Sequence, residues 1–146
     1  MDRFLFLFTR ASKLTRAAAD EAMSRHGVRV GQNVILELLW IRDGQTPGEL
    51  ASALGIATPT VVRSAERMQA AGLLTRRPHE TDGRLVRLCL TPHGRELQPV
   101  IEHERARLSD RALAELDGDE RDALIRALTK IVLAFGGDPR APGSAT

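Results

Sequence analysis

The residues best equipped for chemistry in this chain are its arginines. Residues 57–95 hold Arg63, Arg67, Arg76, Arg77, Arg84, Arg87 and Arg95 against only Glu66, Glu80 and Asp82. A guanidinium is a planar fork of donors that matches phosphate oxygens, so this stretch has the electrostatic footprint of a nucleic-acid binder. The plainer reading, an ordinary solvated surface, stays open on charge alone, because the whole chain is only +2. Residues 101–135 run the other way and are mildly acidic, with eight acids against six bases.

Other chemistries find little material. Cys89 is the single cysteine, so it makes no internal disulfide and builds no zinc site by itself. His26, His79, His93 and His103 are scattered, and the last two lie ten residues apart rather than at i, i+4. There is no nucleophile–base pair, phosphate loop or metal set, so neither an enzyme nor a cofactor is expected. The opening MDRFLFLFTR is apolar for only five residues before Arg10, Lys13 and Arg16. It lacks the long apolar region of a signal peptide, and no run approaches the roughly 20 apolar residues of a membrane span. A cytoplasmic protein without membrane contact is expected. With 146 residues, 42% apolar and 27% charged, the chain suits one domain, or one with an appended dimerisation element.

The basic stretch has to be positioned by something, and the punctuation says what. Thr-Pro occurs at 46–47, 58–59 and 91–92, each reading as an N-cap hydroxyl before a proline whose missing N–H costs nothing in the first turn. Thr46 with Glu49 makes a capping box, and Gly55 supplies the left-handed residue that closes the helix. Helices are therefore expected over about 46–54 and 58–71, joined by a tight turn. Upstream, periodicity predicts helices over 3–26 and 30–40, and Trp40 reads as core, or less simply as the lining of a ligand pocket. Downstream, Leu73–Arg77 and LVRLCL (85–90) read as two strands around HETDGR (79–84), a β-hairpin with an Asp-Gly turn. Val86, Leu88 and Leu90 share one face of the second strand. A helix from Pro92 to about Leu116, kinked at Pro99, and a last helix opened by the capping box at Asp117–Glu120 complete the order. Residues 136–146 have no periodicity and read as a disordered tail.

Helix, tight turn, helix and basic-tipped hairpin make a winged helix-turn-helix. On 58–71, Val61, Ala65 and Met68 form the buried stripe, with Leu50, Leu54 and Ile56 expected behind it. The outward face then carries Thr58, Pro59, Thr60, Val62, Arg63 and Arg67. The major groove of B-DNA admits one helix, whose N-terminal residues meet the base edges. Val62 suits a thymine methyl, while Arg67 reads either as a DNA contact or as a residue paired or solvated elsewhere. Of Arg76 and Arg77, one is expected on phosphate and the other in solvent. The fold expected is mostly α with a small β-wing: the winged helix-turn-helix at 31–90, and a helical dimerisation region from 1–30 and 91–135.

The run GQTPGELASALGIATPTVVRSAERMQAAGLLTRR, then DGR at 82–84, then LTPHG at 90–94, resembles the MarR (multiple antibiotic resistance regulator) family of transcription factors. The order of elements over 3–135 fits that family too. The resemblance implies a homodimer on double-stranded palindromic DNA, often released by a small aromatic or phenolic effector. Carried over by residue, it implies Arg84 in the minor groove, Asp82 orienting it, and Thr60 and Arg63 touching DNA. Asp82 as a plain turn residue stays the alternative. Members that sense peroxide carry a reactive cysteine near the first helix, and here there is none.

The dimer has its own signal in the residues. Phe4, Phe6 and Phe8 make the first two turns apolar nearly all round, and Leu124, Ile125 and Leu128 stripe the last helix. Deep burial within one subunit or coverage by a second copy would each explain them, and the short chain favours the second. The function expected is a sequence-specific, ligand-responsive regulator, in the repressor sense. The competing reading is a winged-helix interaction or architectural module without operator specificity.

Overall fold

A computed structural model of the chain describes residues 1–140. Residues 141–146, the end of the expected tail, lie outside the described residues. The element order is α1 (Arg3–Ser24), α2 (Gln32–Ile41), α3 (Pro47–Leu54), α4 (Thr58–Ala70), β1 (Leu74–Pro78), β2 (Val86–Leu90), α5 (Pro92–Ala112) and α6 (Gly118–Ala134). The fold is mostly helical with one small antiparallel sheet, in which Leu74 pairs with Leu90 and Pro78 with Val86.

Local chemistry explains most boundaries. Asp2 caps α1 by accepting the Leu5 N–H at 2.9 Å. Thr46 and Glu49 form the reciprocal capping box of α3, at 3.2 and 3.0 Å, and Gly55 ends it at φ 67°. Thr91 caps α5 through the Gly94 N–H at 3.0 Å, and Asp117 with Glu120 caps α6. The second Thr-Pro pair behaves differently. The carbonyl of Ala57 receives the first helical N–H bonds, from Thr60 and Val61, so Ala57 is the N-cap of α4. Thr58 is then inside the first turn and makes no cap bond, which leaves its hydroxyl free for other partners. Helix α5 is also shorter than its pattern suggests, giving way to a turn at Leu113–Glu115.

One apolar core holds the middle of the chain. Val61, Ala65 and Met68 of α4 and Leu50 of α3 are fully buried, together with Ile35, Leu36, Leu39, Leu73, Leu74 and Leu88. Met23 and Val28 join this cluster from one side, and Leu97 and Ile101 of α5 from the other. The core therefore extends past both ends of 31–90. Leu54 packs against it only partly, and Ile56, expected behind the stripe, is exposed. Once Gly55 turns the chain, Ile56 belongs to the connection rather than to the helix face. Fully burying a leucine contributes about 1.5–3 kcal/mol, so the α3–α4 pair rests on Leu50, Val61 and Met68 more than on its short turn.

Candidate nucleic-acid interface

The buried stripe of α4 fixes what its other faces can do. With Val61, Ala65 and Met68 inward, Thr58, Pro59, Thr60, Arg63 and Arg67 are exposed. Val62, expected on the outward face, is half-buried at the flank, which narrows its reach. Glu66 lies on one side of α4 and pairs with Arg76 of β1 at 3.6 Å. Ser64 and Arg67 lie on the other side, toward α1.

The arginines divide by partner. Arg87 is clamped by both oxygens of Glu80 at 3.0 Å, Arg95 is paired with Asp43 at 3.0 Å, and Arg76 is paired with Glu66. Arg63, Arg67 and Arg77 have no acidic partner among the described residues. Positive potential is therefore concentrated on α4 and on one edge of β1, and Arg77 rather than Arg76 is the cation left available there.

Asp-Gly is present at the wing tip, but not as a two-residue hairpin turn. Seven residues, 79–85, connect β1 to β2, and Gly83 does not take a positive φ. The turn is closed instead by Leu85 N–H donating to Asp82 carbonyl at 3.0 Å. His79 Nδ1 accepts the N–H groups of Thr81 at 3.3 Å and Asp82 at 3.1 Å, which pins the loop from inside. Asp82 in turn accepts the Arg84 backbone N–H at 3.0 Å, its Nε at 3.2 Å and its Nη2 at 3.3 Å. Hydrogen bonding from the Arg84 side chain, then from its backbone N–H, holds the Asp82 carboxyl below its ordinary range. The Arg84 side chain stays 90% exposed. Asp82 is therefore more than a turn residue, because it sets the direction of a projecting cation.

The wing is also tied to the body, by residues that the sequence pattern does not reveal. Gly44 N–H donates to Leu88 carbonyl and Leu88 N–H to Gln45 carbonyl, at 3.1 and 2.9 Å, adding an isolated antiparallel bridge to the outer edge of β2. The buried Gln45 amide donates to the carbonyls of Leu38 and Arg42, and Asp43 Oδ1 accepts Leu90 N–H. Arg87 Nη1 donates to Gly44 carbonyl at 2.8 Å. Only Asp43-Gly44, visible as a turn signal, could have hinted at this anchor. Cys89 sits half-buried on β2; desolvation, then the charge of Asp43, raises its thiol above the ordinary value, so it is held as the less reactive thiol.

Elsewhere, Trp40 is half-buried and donates its indole N–H to Gly94 carbonyl at 2.9 Å. It packs against the core, as its first reading expects, and lines a groove of about 190 Å³ between α2 and α5 with Glu37, Ile41 and Arg105. Phe4, Phe6 and Phe8 are 50%, 48% and 41% exposed, and α6 has no buried residue. Deep burial within one subunit is thereby excluded for the first turns of α1. No helix among the described residues is long and apolar enough to cross a membrane.

Comparison with known proteins agrees with this geometry. The profile of the MarR family matches residues 26–85, the segment from the end of α1 to the wing. A Bacillus subtilis HTH-type transcriptional regulator, YkoM, is 30% identical over 85% of this chain and 80% of its own length. A second from that organism, YdgJ, is 27% identical over 72% of this chain, and the match spans 64% of YdgJ. Among solved structures, a MarR regulator of Methanosarcina mazei Go1 superposes with TM-score 0.78 at 20% identity, covering 93% and 97% of the two chains. AbfR in its reduced form, bound to DNA, superposes with TM-score 0.72 at 19% identity, covering 92% of each chain. CouR from Rhodococcus jostii RHA1, bound to p-coumaroyl-CoA, gives 0.72 at 20%, covering 89% and 91%. The wing, the α3–α4 pair and these matches together place the chain in the MarR family of winged-helix, DNA-binding transcriptional regulators.

Proposed function

We propose that this chain binds a palindromic operator in double-stranded DNA as a homodimer, acts as a cytoplasmic repressor, and is released by a small organic effector. The observation that carries the reading is the cationic surface of α4 and the wing, on which Arg63, Arg67 and Arg77 have no acidic partner among the described residues. Arg63 and Arg67 stand beside the exposed Thr58, Pro59 and Thr60, and Arg84 is aimed by Asp82 from the tip of the hairpin. In this reading α4 enters the major groove, with Thr60 and Arg63 at the base edges. Arg84 enters the minor groove, whose negative potential favours a guanidinium, and Arg77 meets phosphate.

Two-fold DNA demands a two-fold protein, with recognition helices about 34 Å apart. The exposed Phe4, Phe6 and Phe8 of α1 and Leu124 and Ile125 of α6 supply the apolar surface, with Leu128 beside them. Residues 1–30 and 91–135 form the dimerisation region in this reading, and 31–90 the DNA-binding part. The effector reading draws support from CouR, whose bound p-coumaroyl-CoA shows that this fold can take an aromatic acyl ligand. In this reading the effector enters between the dimerisation helices and the helix-turn-helix part, near α1, α2 and α5. An effector acts only by favouring the DNA-incompetent spacing of the helices over the competent one.

Binding of the full chain to selected and random duplexes across a salt series tests the reading. A steep salt slope with a preference of 10³-fold or more for one palindrome supports it. Equal affinity for all duplexes assigns an architectural role instead, and no DNA binding assigns a protein-interaction module.

A further inference from the structure

A groove of about 700 Å³ opens between α1 and α4, on the flank of α4 opposite the Glu66–Arg76 pair. Lys13, Arg16 and Asp20 of α1 line it, with Arg29 from the α1–α2 connection and Ser64 and Arg67 of α4. That volume lies within the roughly 300–1,000 Å³ of small-molecule sites. Four cations here face one acid, and the acid is already engaged. Asp20 Oδ2 accepts Arg29 Nη2 at 2.9 Å and its Oδ1 accepts Val30 N–H at 3.2 Å. Once Asp20 and Arg29 neutralise each other, Lys13, Arg16 and Arg67 remain on one concave surface without an acidic partner among the described residues.

Converging like charges destabilise a fold unless a counter-charge enters, and low-dielectric walls focus their field into the groove. We infer that this groove binds a small molecule carrying two or more carboxylate or phosphate groups. Guanidinium and ammonium groups both suit such anions, and Ser64 adds a hydroxyl donor or acceptor. A single carboxylate would leave most of the positive charge unanswered. The concave form favours a compact ligand over the convex rod of a duplex. On α1, Lys13, Arg16 and Asp20 lie away from the Phe4, Phe8 and Ala11 stripe, whereas Phe6 shares the Lys13 face two turns nearer the N-terminus.

The site is separate from the α2–α5 groove and shares no lining residue with it. Its effect on DNA rests on the assignment of α4 as the recognition helix, since an anion that engages Arg67 withdraws it from the duplex. By linkage, DNA then weakens the anion by the same factor as the anion weakens DNA. Anion binding itself does not depend on that assignment, so it can be tested without DNA.

Thermal melts of the full chain with citrate, inorganic pyrophosphate or benzoate, each at ionic strength matched with sodium chloride, provide the test. The expected result is a saturable rise in Tm with citrate, pyrophosphate or both, and none with benzoate. The Lys13→Ala/Arg16→Ala double variant, checked for folding by circular dichroism, should need at least tenfold more anion for the same rise. Ser64→Glu, which places a carboxylate in the groove, should act likewise. No rise beyond matched salt overturns the inference, as does a rise undiminished in both variants. A double variant that binds duplex DNA more weakly but anions equally well also overturns it, and makes the groove a contact for DNA phosphate.

Discussion

Arg84 and Asp82 close a unit three residues long, in which one carboxylate takes the backbone N–H, Nε and Nη2 of the same arginine at 3.0, 3.2 and 3.3 Å. Exposed ion pairs contribute little to stability, so the pair is better understood as aiming a side chain. Replacing Arg84 by Ala should cost about 1–3 kcal/mol of operator binding with an unchanged melting temperature. Asp82→Ala should lose less, in the same direction, because the cation remains but is no longer steered. Competition titrations with operators of A·T-rich and G·C-rich flanks provide the check; equal losses on both refute minor-groove insertion.

The same pair sets a pH expectation. Asp82 is held below its ordinary value of 3.8 by Arg84, so its carboxylate favours the ordered wing. A depressed folded-state value means that this contribution is full above the unfolded value and is lost as pH falls through the folded one. Wing order should therefore be flat from pH 8 to about 5 and decline only below about 4. NMR of the Arg84 side-chain N–H through that range reads it directly, and a midpoint near neutrality would refute it.

Gly94 is tightly enclosed where α5 starts. A Cβ built there would collide with the carbonyl of Leu73, which also accepts the Thr91 N–H, while Thr91 Oγ1 donates to Gly72 carbonyl at 2.6 Å. The obstacle is backbone rather than a flexible side chain, so relief requires α5 to move off the α4–β1 junction. Gly94→Ala should destabilise the chain by about 1–3 kcal/mol, as overpacking does elsewhere. Chemical denaturation gives the number; a change under about 0.5 kcal/mol, the scale of ordinary surface substitutions, contradicts the clash.

The glycine of LTPHG shows how far the sequence could be read. Its position was legible, but the reason for it was not, because the blocking carbonyl is contributed from 21 residues upstream. Helices were legible wherever caps and a 3.6 period agreed, as at Thr46, Thr91 and Asp117. They were misplaced by one residue where Ala57, with no side chain to cap, took the role expected of Thr58. The wing tip was visible as Asp82 and Arg84, yet its anchor at Asp43, Gly44 and Gln45 was not. Those bonds join backbone and side-chain groups 43–47 positions apart, and no periodicity records them. Which arginines remain free was equally hidden, since Arg76 and Arg77 are adjacent and only the fold brings Glu66 to one of them.

Apolar exposure on α1 and α6 leads to a prediction about assembly. Phe4 and Phe8 stack on one another at a ring separation of 5.6 Å, and both face solvent in the single chain. A second copy covering them removes large aromatic surface from water. Sedimentation should find dimers at micromolar concentration, and Phe8→Glu should shift them toward monomers. A stable, folded monomer of 16.0 kDa in the unaltered protein at that concentration would refute the dimer.

The last prediction separates recognition from stability within one helix. Thr60 and Arg63 are exposed on α4, whereas Ala65, two residues on from Arg63, is fully buried against the core. Thr60→Ala and Arg63→Ala remove no buried contact, so thermal stability should change by no more than about 0.5 kcal/mol. Each should nevertheless reduce specific operator affinity, because a lost base-edge contact is worth about 1–3 kcal/mol of discrimination. Ala65→Leu should do the reverse: the larger side chain forces α4 off α2 and α3, lowers the melting temperature, and weakens all duplexes together. The two outcomes part in the ratio of specific to random DNA affinity, which falls for Thr60 and Arg63 and holds for Ala65. If instead the Arg63 variant loses affinity equally for every sequence, Arg63 contacts phosphate, and base reading must come from the first turn, where Thr58 keeps a hydroxyl that no cap engages.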